Sequence, residues 1–239
     1  MIHLLKKKKK KFNEFIQKLY QKRNSFIIDI FYGLQEDKYI CKNKNCNYTN
    51  YSFQGISVLS LSIMTFNNTK IDSLEKAIEY YQYGQHHYNE EDFFCSKCKG
   101  NRIITQSIII SLPKFLIINF KRIGENNYYN HKVEIPNDLK IKNKLDNTDY
   151  EYELIGFIKH LGGADSGHNI SICKNFFDNI WYQYNDSKVF SCHNSVYYNY
   201  YTNEIDTSNA FLFFYKKKDV NITEEEINII INNSSELRK

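Results

Sequence analysis

The chain has 239 residues, 42% of them hydrophobic, and a formal net charge of +5. That length fits one large domain able to bury roughly 70–75% of its unfolded surface, and no apolar run is long enough to span a membrane. The charge is local: setting aside the six lysines Lys6–Lys11 takes the 32 basic residues to 26, against 27 acidic ones. A nucleic-acid footprint over the whole domain is therefore unsupported.

The N-terminus, Met1 to Leu5 followed by lysines, lacks the apolar core of about 7–15 residues that a secretory signal carries. The expected location is intracellular, cytoplasmic or nuclear, where thiols stay reduced and paired cysteines bind metal rather than each other. The lysine tract reads as a solvated low-complexity run, with a nuclear-localisation or nucleic-acid patch as its sharper alternative.

In chain order, Phe12, Phe15, Ile16 and Leu19 fall at helical spacing over 12–22. Phe26 to Phe31 reads as a strand leading to Gly33, and Lys38 to Cys41 leads into a first cysteine turn. Phe53 to Ile63 is a further apolar, strand-like stretch. Asp72 or Ser73 caps a short helix running to about Tyr81. Ile103–Ile110 and Phe115–Ile123 are β-rich and separated by Leu112-Pro113. Tyr152–His160, His168–Cys173, Trp181–Tyr184 and Ala210–Tyr215 supply more strands, and a capping box at Thr223–Glu226 opens a last helix to about Asn232. The sum is a β-rich α+β protein.

The clearest chemistry lies in two cysteine pairs, Cys41/Cys46 and Cys95/Cys98. Zn²⁺ favours four thiolates in a tetrahedron, and two short turns can each present two sulfurs to it. Both pairs are flanked by Lys, Asn and Ser, which do not suit a core. The 48 residues from Asn47 to Phe94 must loop out between them as a hairpin and helix. Cys173 and Cys192 sit beside strand-like apolar residues and read as small buried hydrophobes.

His168 is bracketed by Gly162-Gly163 and Gly167, so the backbone around it can bend and admit another chain closely. Trp181 opens a strand, and Asn185 and Asp186 follow it in a turn. A proton-shuttling histidine needs a partner on its second ring nitrogen. Asn185 can be a neutral acceptor there, and Asp186 would also raise the imidazole pKa. A histidine beside a glycine-rich turn is more often a satisfied structural residue, so spacing alone does not carry a catalytic reading.

From about Phe12 to Tyr215 the chain resembles the fingers and palm of a ubiquitin-specific protease, a papain-like cysteine peptidase domain. The residues that carry the resemblance begin with Glu14-Phe15, Phe31-Tyr-Gly33, Cys41/Cys46 and Leu59–Ile63. They continue through Ser73–Ala77, Phe94–Cys98, Leu112–Leu116 and Phe120–Arg122. The most specific are Tyr152–Leu154, His160-Leu-Gly162, Gly167-His168, Trp181–Asp186 and Ala210–Tyr215. Asn169 departs from the family, where an aromatic usually follows the histidine, as does Gly84, where an acidic residue is common.

The resemblance implies a domain at 12–217, with fingers at about 34–110 and a palm at about 111–217 plus 12–33. A Lys-rich tail at 1–11 and a C-terminal helix or tail at 218–239 flank it. It makes Cys41, Cys46, Cys95 and Cys98 ligands of a structural Zn²⁺, His168 the catalytic histidine, Asn185 the third triad member and Asp186 its acidic neighbour. The implied activity is thiol-dependent hydrolysis of ubiquitin isopeptide bonds, with ubiquitin and ubiquitinated proteins as partners. In the family the nucleophilic cysteine and an oxyanion-stabilising asparagine lie in a box near the start of the thumb, ahead of the fingers. No such box stands before Phe12, so the chain alone is expected to be inactive. The alternatives are a noncatalytic ubiquitin-binding scaffold and a zinc-ribbon nucleic-acid binder.

Overall fold

The structure is a computed structural model. It describes residues 10–15, 17–18, 26–41, 43, 45–46, 48–83, 86–87, 95–100, 103–124, 128–142, 148–163, 166–192, 198–199, 204–205 and 207–220. The lysines Lys6–Lys9 and the expected helix after Thr223 lie outside them.

Two sheets organise these residues. The smaller is four-stranded, in the order β2-β1-β5-β4. It is built from β1 (Gly33–Cys41), β2 (Thr49–Ile56), β4 (His86–His87) and β5 (Ile103–Ser111). The larger runs β11-β10-β9-β8-β14-β6-β3, with β7 added beside β8. Its strands are β3 (Leu59–Ser62), β6 (Phe115–Lys121), β7 (Asp138–Lys142), β8 (Asp149–Gly162), β9 (Gly167–Lys174), β10 (Trp181–Asn185), β11 (Lys188–Ser191) and β14 (Ala210–Lys217). β12 (Tyr198–Asn199) and β13 (Glu204–Ile205) pair separately. Only β3 and β6 run parallel in the large sheet; the other named pairs are antiparallel.

Period-two patterning sets the core face. Leu116, Ile118 and Phe120 of β6 are buried, as are Ile170 and Ile172 of β9. On β8 the phase changes: Tyr152 and Leu154 are buried, then Phe157 and Lys159. The register against β14 slips at the same place, between Phe214 and Tyr215. One extra residue in β8 turns every side chain after it to the opposite face. The buried tyrosines Tyr152 and Tyr215 satisfy their hydroxyls on the carbonyls of Pro113 (2.5 Å) and Pro136 (2.7 Å).

The helix Leu74–Tyr83 buries Leu74, Ala77 and Ile78, one face at three- and four-residue spacing, against β3 and β5. Ser73 is its cap, its Oγ accepting the Lys76 N–H at 3.3 Å. Asp72 instead pairs with the Lys76 ammonium at 2.8 Å.

Two expectations are corrected. Phe26–Phe31 is a helix, closed by the Tyr32 N–H donating to the Ile28 carbonyl at 3.1 Å. A run of six mostly apolar residues has no period that separates a strand from a helix packed on several sides. The stretch Phe53–Ile63 is two strands: it breaks at Ser57-Val58, so that β2 stays in the small sheet and β3 joins the large one.

The small sheet has a polar interior at Asp37, which is 8% exposed. Its carboxylate accepts from Gln35 Nε2 (2.6 Å), Gln54 Nε2 (2.8 Å) and Ser107 Oγ (2.7 Å), joining β1 to both neighbours. The Tyr81 hydroxyl donates to Gln35 Oε1, which ties the helix to the same group. Among the described residues, no helix is long and apolar enough to cross a membrane.

Candidate functional site

Antiparallel pairing brings two loops to the same end of the small sheet. Cys41 ends β1 and pairs with Ile103 at the start of β5, so the turn after Cys41 and the turn before β5 face each other. The Cys46 N–H donates to the Asn43 carbonyl at 2.9 Å, and the Cys41 N–H to the Tyr48 carbonyl at 2.9 Å. In the second turn the Lys99 N–H donates to the Cys95 carbonyl and the Cys95 N–H to the Gly100 carbonyl, both at 2.8 Å, with Lys99 at φ 59°.

All four sulfurs lie within 4.8 Å of one another. Cys41 Sγ is 3.7 Å from Cys98 Sγ, and Cys46 Sγ is 3.6 Å from Cys95 Sγ. A tetrahedron of sulfurs at the Zn–S distance of about 2.3 Å has edges of about 3.8 Å, so the donor set fits Zn²⁺ in size and chemistry. Cys41, Cys46 and Cys95 form a small buried cluster with Tyr48, apart from the main core. Metal-free, these thiols are unequal. Burial pushes Cys41 up to about 12 and raises Cys46. The N–H groups of Cys98 and then Lys97 override burial at Cys95 and bring it down to about 6.

The second constellation is on the large sheet. His168 shares the core face of β9 with Ile170 and Ile172, but lies at the strand's exposed start, 44% exposed. β10 pairs with β9 through Trp181↔Lys174 to Tyr184↔Ser171. One further residue sets Asn185 beside Ile170, a diagonal step from His168 and within side-chain reach. His168 Nε2 lies 2.6 Å from Asn185 Oδ1. Asp186, at φ 52° in the two-residue turn before β11, has its Oδ2 at 3.8 Å from the same nitrogen and is 81% exposed.

Asn185 is therefore the hydrogen-bond partner, and Asp186 an adjacent charge beyond hydrogen-bond distance. An amide oxygen can only accept, so Nε2 carries the proton when the ring is neutral and Nδ1 keeps its lone pair. That tautomer can take a proton at Nδ1 from an approaching thiol or water.

The remaining cysteines lie elsewhere. Cys173 is five residues from His168 on β9, about 17 Å along the strand, and on its other face. Cys192 follows Ser191, which pairs with Tyr182, some three residues or about 10 Å from Asn185. It is 1% exposed, and burial pushes its thiol up to about 11, so it stays protonated at neutral pH. His193 beside it lies outside the described residues.

Two polar features went unread in the sequence. Arg122 is buried, its Nε donating to the Ala210 carbonyl (2.8 Å) and its Nη1 to the Tyr129 (2.8 Å) and His131 (3.1 Å) carbonyls. It thereby fixes the start of β14. His160 lies on the strand paired with that of His168. Neither role has a sequence signal of its own, since both follow from strand register.

Fold and geometry together define a β-rich, papain-like peptidase domain. The family model of the ubiquitin carboxyl-terminal hydrolases matches residues 1–215, and the chain belongs to that family, among its ubiquitin-specific proteases. The probable ubiquitin carboxyl-terminal hydrolase R319 of Acanthamoeba polyphaga mimivirus is 25% identical over 221 residues, covering 86% of this chain and 44% of that protein. Ubiquitin carboxyl-terminal hydrolase 9 of Arabidopsis thaliana is 31% identical over 138 residues, 54% of this chain and 14% of that one. Among solved structures, the Ubp8-Sgf11-Sgf73-Sus1 SAGA DUB module matches with a TM-score of 0.62 at 26% identity, covering 84% of this chain and 43% of that one. A yeast SAGA DUB module structure matches in fold, with a TM-score of 0.64 at 24% identity over 87% of this chain and 46% of that one. The chain thus spans under half the length of these relatives.

Proposed function

We propose that this chain is the fingers and palm of a deubiquitinase, with the small sheet as fingers and the large sheet as palm. In this reading Cys41, Cys46, Cys95 and Cys98 hold one Zn²⁺, and His168 is the general base and acid of isopeptide hydrolysis at the C-terminus of ubiquitin. The zinc would be structural, because four protein thiolates leave no open position for water.

The observation that carries the reading is the 2.6 Å contact between His168 Nε2 and Asn185 Oδ1 on the core face of the palm. Asn185 holds the ring and its tautomer. Nδ1 would take the proton of a thiol, leaving a thiolate to attack the ubiquitin carbonyl. The imidazolium would then protonate the departing lysine amine, and the neutral ring would activate water against the thioester.

In this reading none of the six cysteines serves as that thiol. Four cluster at the tip of the fingers, Cys173 faces away from His168, and Cys192 is buried and protonated. The thiol would have to come from polypeptide outside this sequence. The same observation favours a second reading, a noncatalytic ubiquitin-binding protein, and both readings share ubiquitin as the partner.

Ubiquitin binding is the test common to both. In ¹H–¹⁵N spectra of labelled ubiquitin, addition of this chain is expected to shift the signals of the ubiquitin C-terminal tail. An unchanged spectrum at hundreds of micromolar chain would remove ubiquitin as the partner.

A further inference from the structure

The β8–β9 hairpin carries a second histidine that the mechanism above does not use. Leu161 pairs with His168 and Lys159 with Ile170, so these residues share the core face, while His160 pairs with Asn169 on the reverse face. His160 Nδ1 is 3.0 Å from Asn169 Oδ1, and His160 Nε2 is 2.9 Å from the Gly163 carbonyl. One ring therefore reaches both the partner strand and the start of the turn that joins the strands.

The glycines make room for this. A Cβ on Gly167 would sit 2.4 Å from both Cε1 and Nε2 of His160 and 2.7 Å from the Leu161 carbonyl. The ring lies where a side chain at 167 would be, directly against the residue that precedes His168. Gly162 turns the chain at φ 134°, where an added Cβ would lie 2.5 Å from the Ser166 carbonyl, and the Gly163 N–H closes the turn on that carbonyl at 3.0 Å. The Tyr128 ring lies tilted beside the histidine, with ring centroids 6.3 Å apart.

We infer that His160 is a positioning residue, clasping Gly163 and Asn169 from behind the hairpin and so fixing the turn and register that present His168 to Asn185. This rests on the reading of His168 as the proton-transferring histidine. A carbonyl only accepts, so Nε2 of His160 carries a proton. When the ring is protonated, Nδ1 donates to the amide oxygen of Asn169. The two acceptors, Asn169 first and the Gly163 carbonyl second, hold the pKa of His160 above its usual value. The clasp matters to the other face because a diagonal cross-strand contact depends on strand register and twist. The Nε2–Oδ1 contact of His168 is such a contact. Asn169, where the family usually has an aromatic, makes this clasp a feature of this chain.

A turn-stabilising histidine with no positioning role would change stability and leave the His168 imidazole as it was. Long-range ¹H–¹⁵N spectra of the imidazoles in the labelled chain separate the two. In the unmodified chain His168 is expected as the Nε2–H tautomer, and Asn185→Ala should send it to the mixture of a free imidazole. His160→Ala and Asn169→Ala should each move His168 part of the way in the same direction, with the far-ultraviolet circular dichroism unchanged. His160→Gln, which can still donate to the Gly163 carbonyl, should restore part of the tautomer preference. If Asn185→Ala moves His168 and neither hairpin variant does, the inference is overturned while the His168–Asn185 pair stands. If Asn185→Ala moves nothing, the pair itself is absent in solution, and the inference falls with the reading beneath it. Should His160→Ala fail to fold, Asn169→Ala decides, because it removes one arm of the clasp with the ring in place.

Discussion

Chelation is expected to unfold the small sheet, and elemental analysis of the purified chain to give about one zinc per molecule. Structural Zn²⁺ sites bind with an apparent free energy of about 10–16 kcal/mol in small peptides, as large as the whole stability of about 5–15 kcal/mol of an ordinary domain. Among the described residues, only Tyr48 packs as a partly buried hydrophobic partner against the cluster. Without metal, three buried thiols would have to be held together by little else. Cys98→Ser, at the most exposed ligand, should lose most of the metal and lower the melting temperature. Full metal content and unchanged stability in that variant would refute the assignment.

The pH dependence of zinc binding has a definite sign. Cys41 and Cys46, both raised by burial, hold their protons at pH 7, whereas Cys95, brought down to about 6, has mostly lost its own. Binding must expel at least the first two protons. Apparent zinc affinity should therefore rise with pH, and fall by at least about 100-fold for each unit of acidification near neutrality. A pH-independent zinc affinity between about 6 and 8 would contradict this proton count.

The second large effect is expected at Asp37. Removing its carboxylate leaves Gln35 Nε2, Gln54 Nε2 and Ser107 Oγ without the acceptor they now share. Hydrogen bonds to a charged group contribute about 1.5–3 kcal/mol each, and a buried donor left unpaired costs about 1–3 kcal/mol. The three are coupled and do not add, so Asp37→Ala should cost about 3 kcal/mol in total. The denaturant midpoint of the chain measures it, with Asp37→Asn as a milder companion that keeps one acceptor. A loss below about 1 kcal/mol would show that water replaces the carboxylate easily.

The elements with a chemical signal were legible in the sequence. Ser73 before an apolar face at three- and four-residue spacing marks the helix that the structure begins at Leu74. The long β runs correspond to β5, β6, β8, β9, β10 and β14. The two cysteine pairs were legible as a cluster because ligand geometry constrains the spacing within each turn.

Less was legible where tertiary context decides. Phe26–Phe31 carries apolar residues in nearly every position, so no period in it distinguishes the helix from a strand. β7 (Asp138–Lys142) alternates exposed and buried, but only Leu139 and Ile141 show it among charged neighbours. Asp37 looks like a surface residue until β2 and β5 bring Gln54 and Ser107 to it. The bulge in β8 is likewise invisible, since nothing in Leu154–Phe157 announces where the phase will change. His160 was quoted as part of a pattern, while its bonds to Asn169 and Gly163 follow only from the register of the hairpin.

The central proposal is that His168 is the proton-transferring histidine of a deubiquitinase palm and that no cysteine of this chain serves as its nucleophile. Mass spectrometry of the chain mixed with ubiquitin bearing a C-terminal electrophile tests both halves together. The account predicts a one-to-one complex under native conditions that separates completely on denaturation, leaving the chain at its unmodified mass. A covalent adduct surviving denaturation, mapped to Cys173 or Cys192 and lost in the corresponding Ser variant, would contradict it.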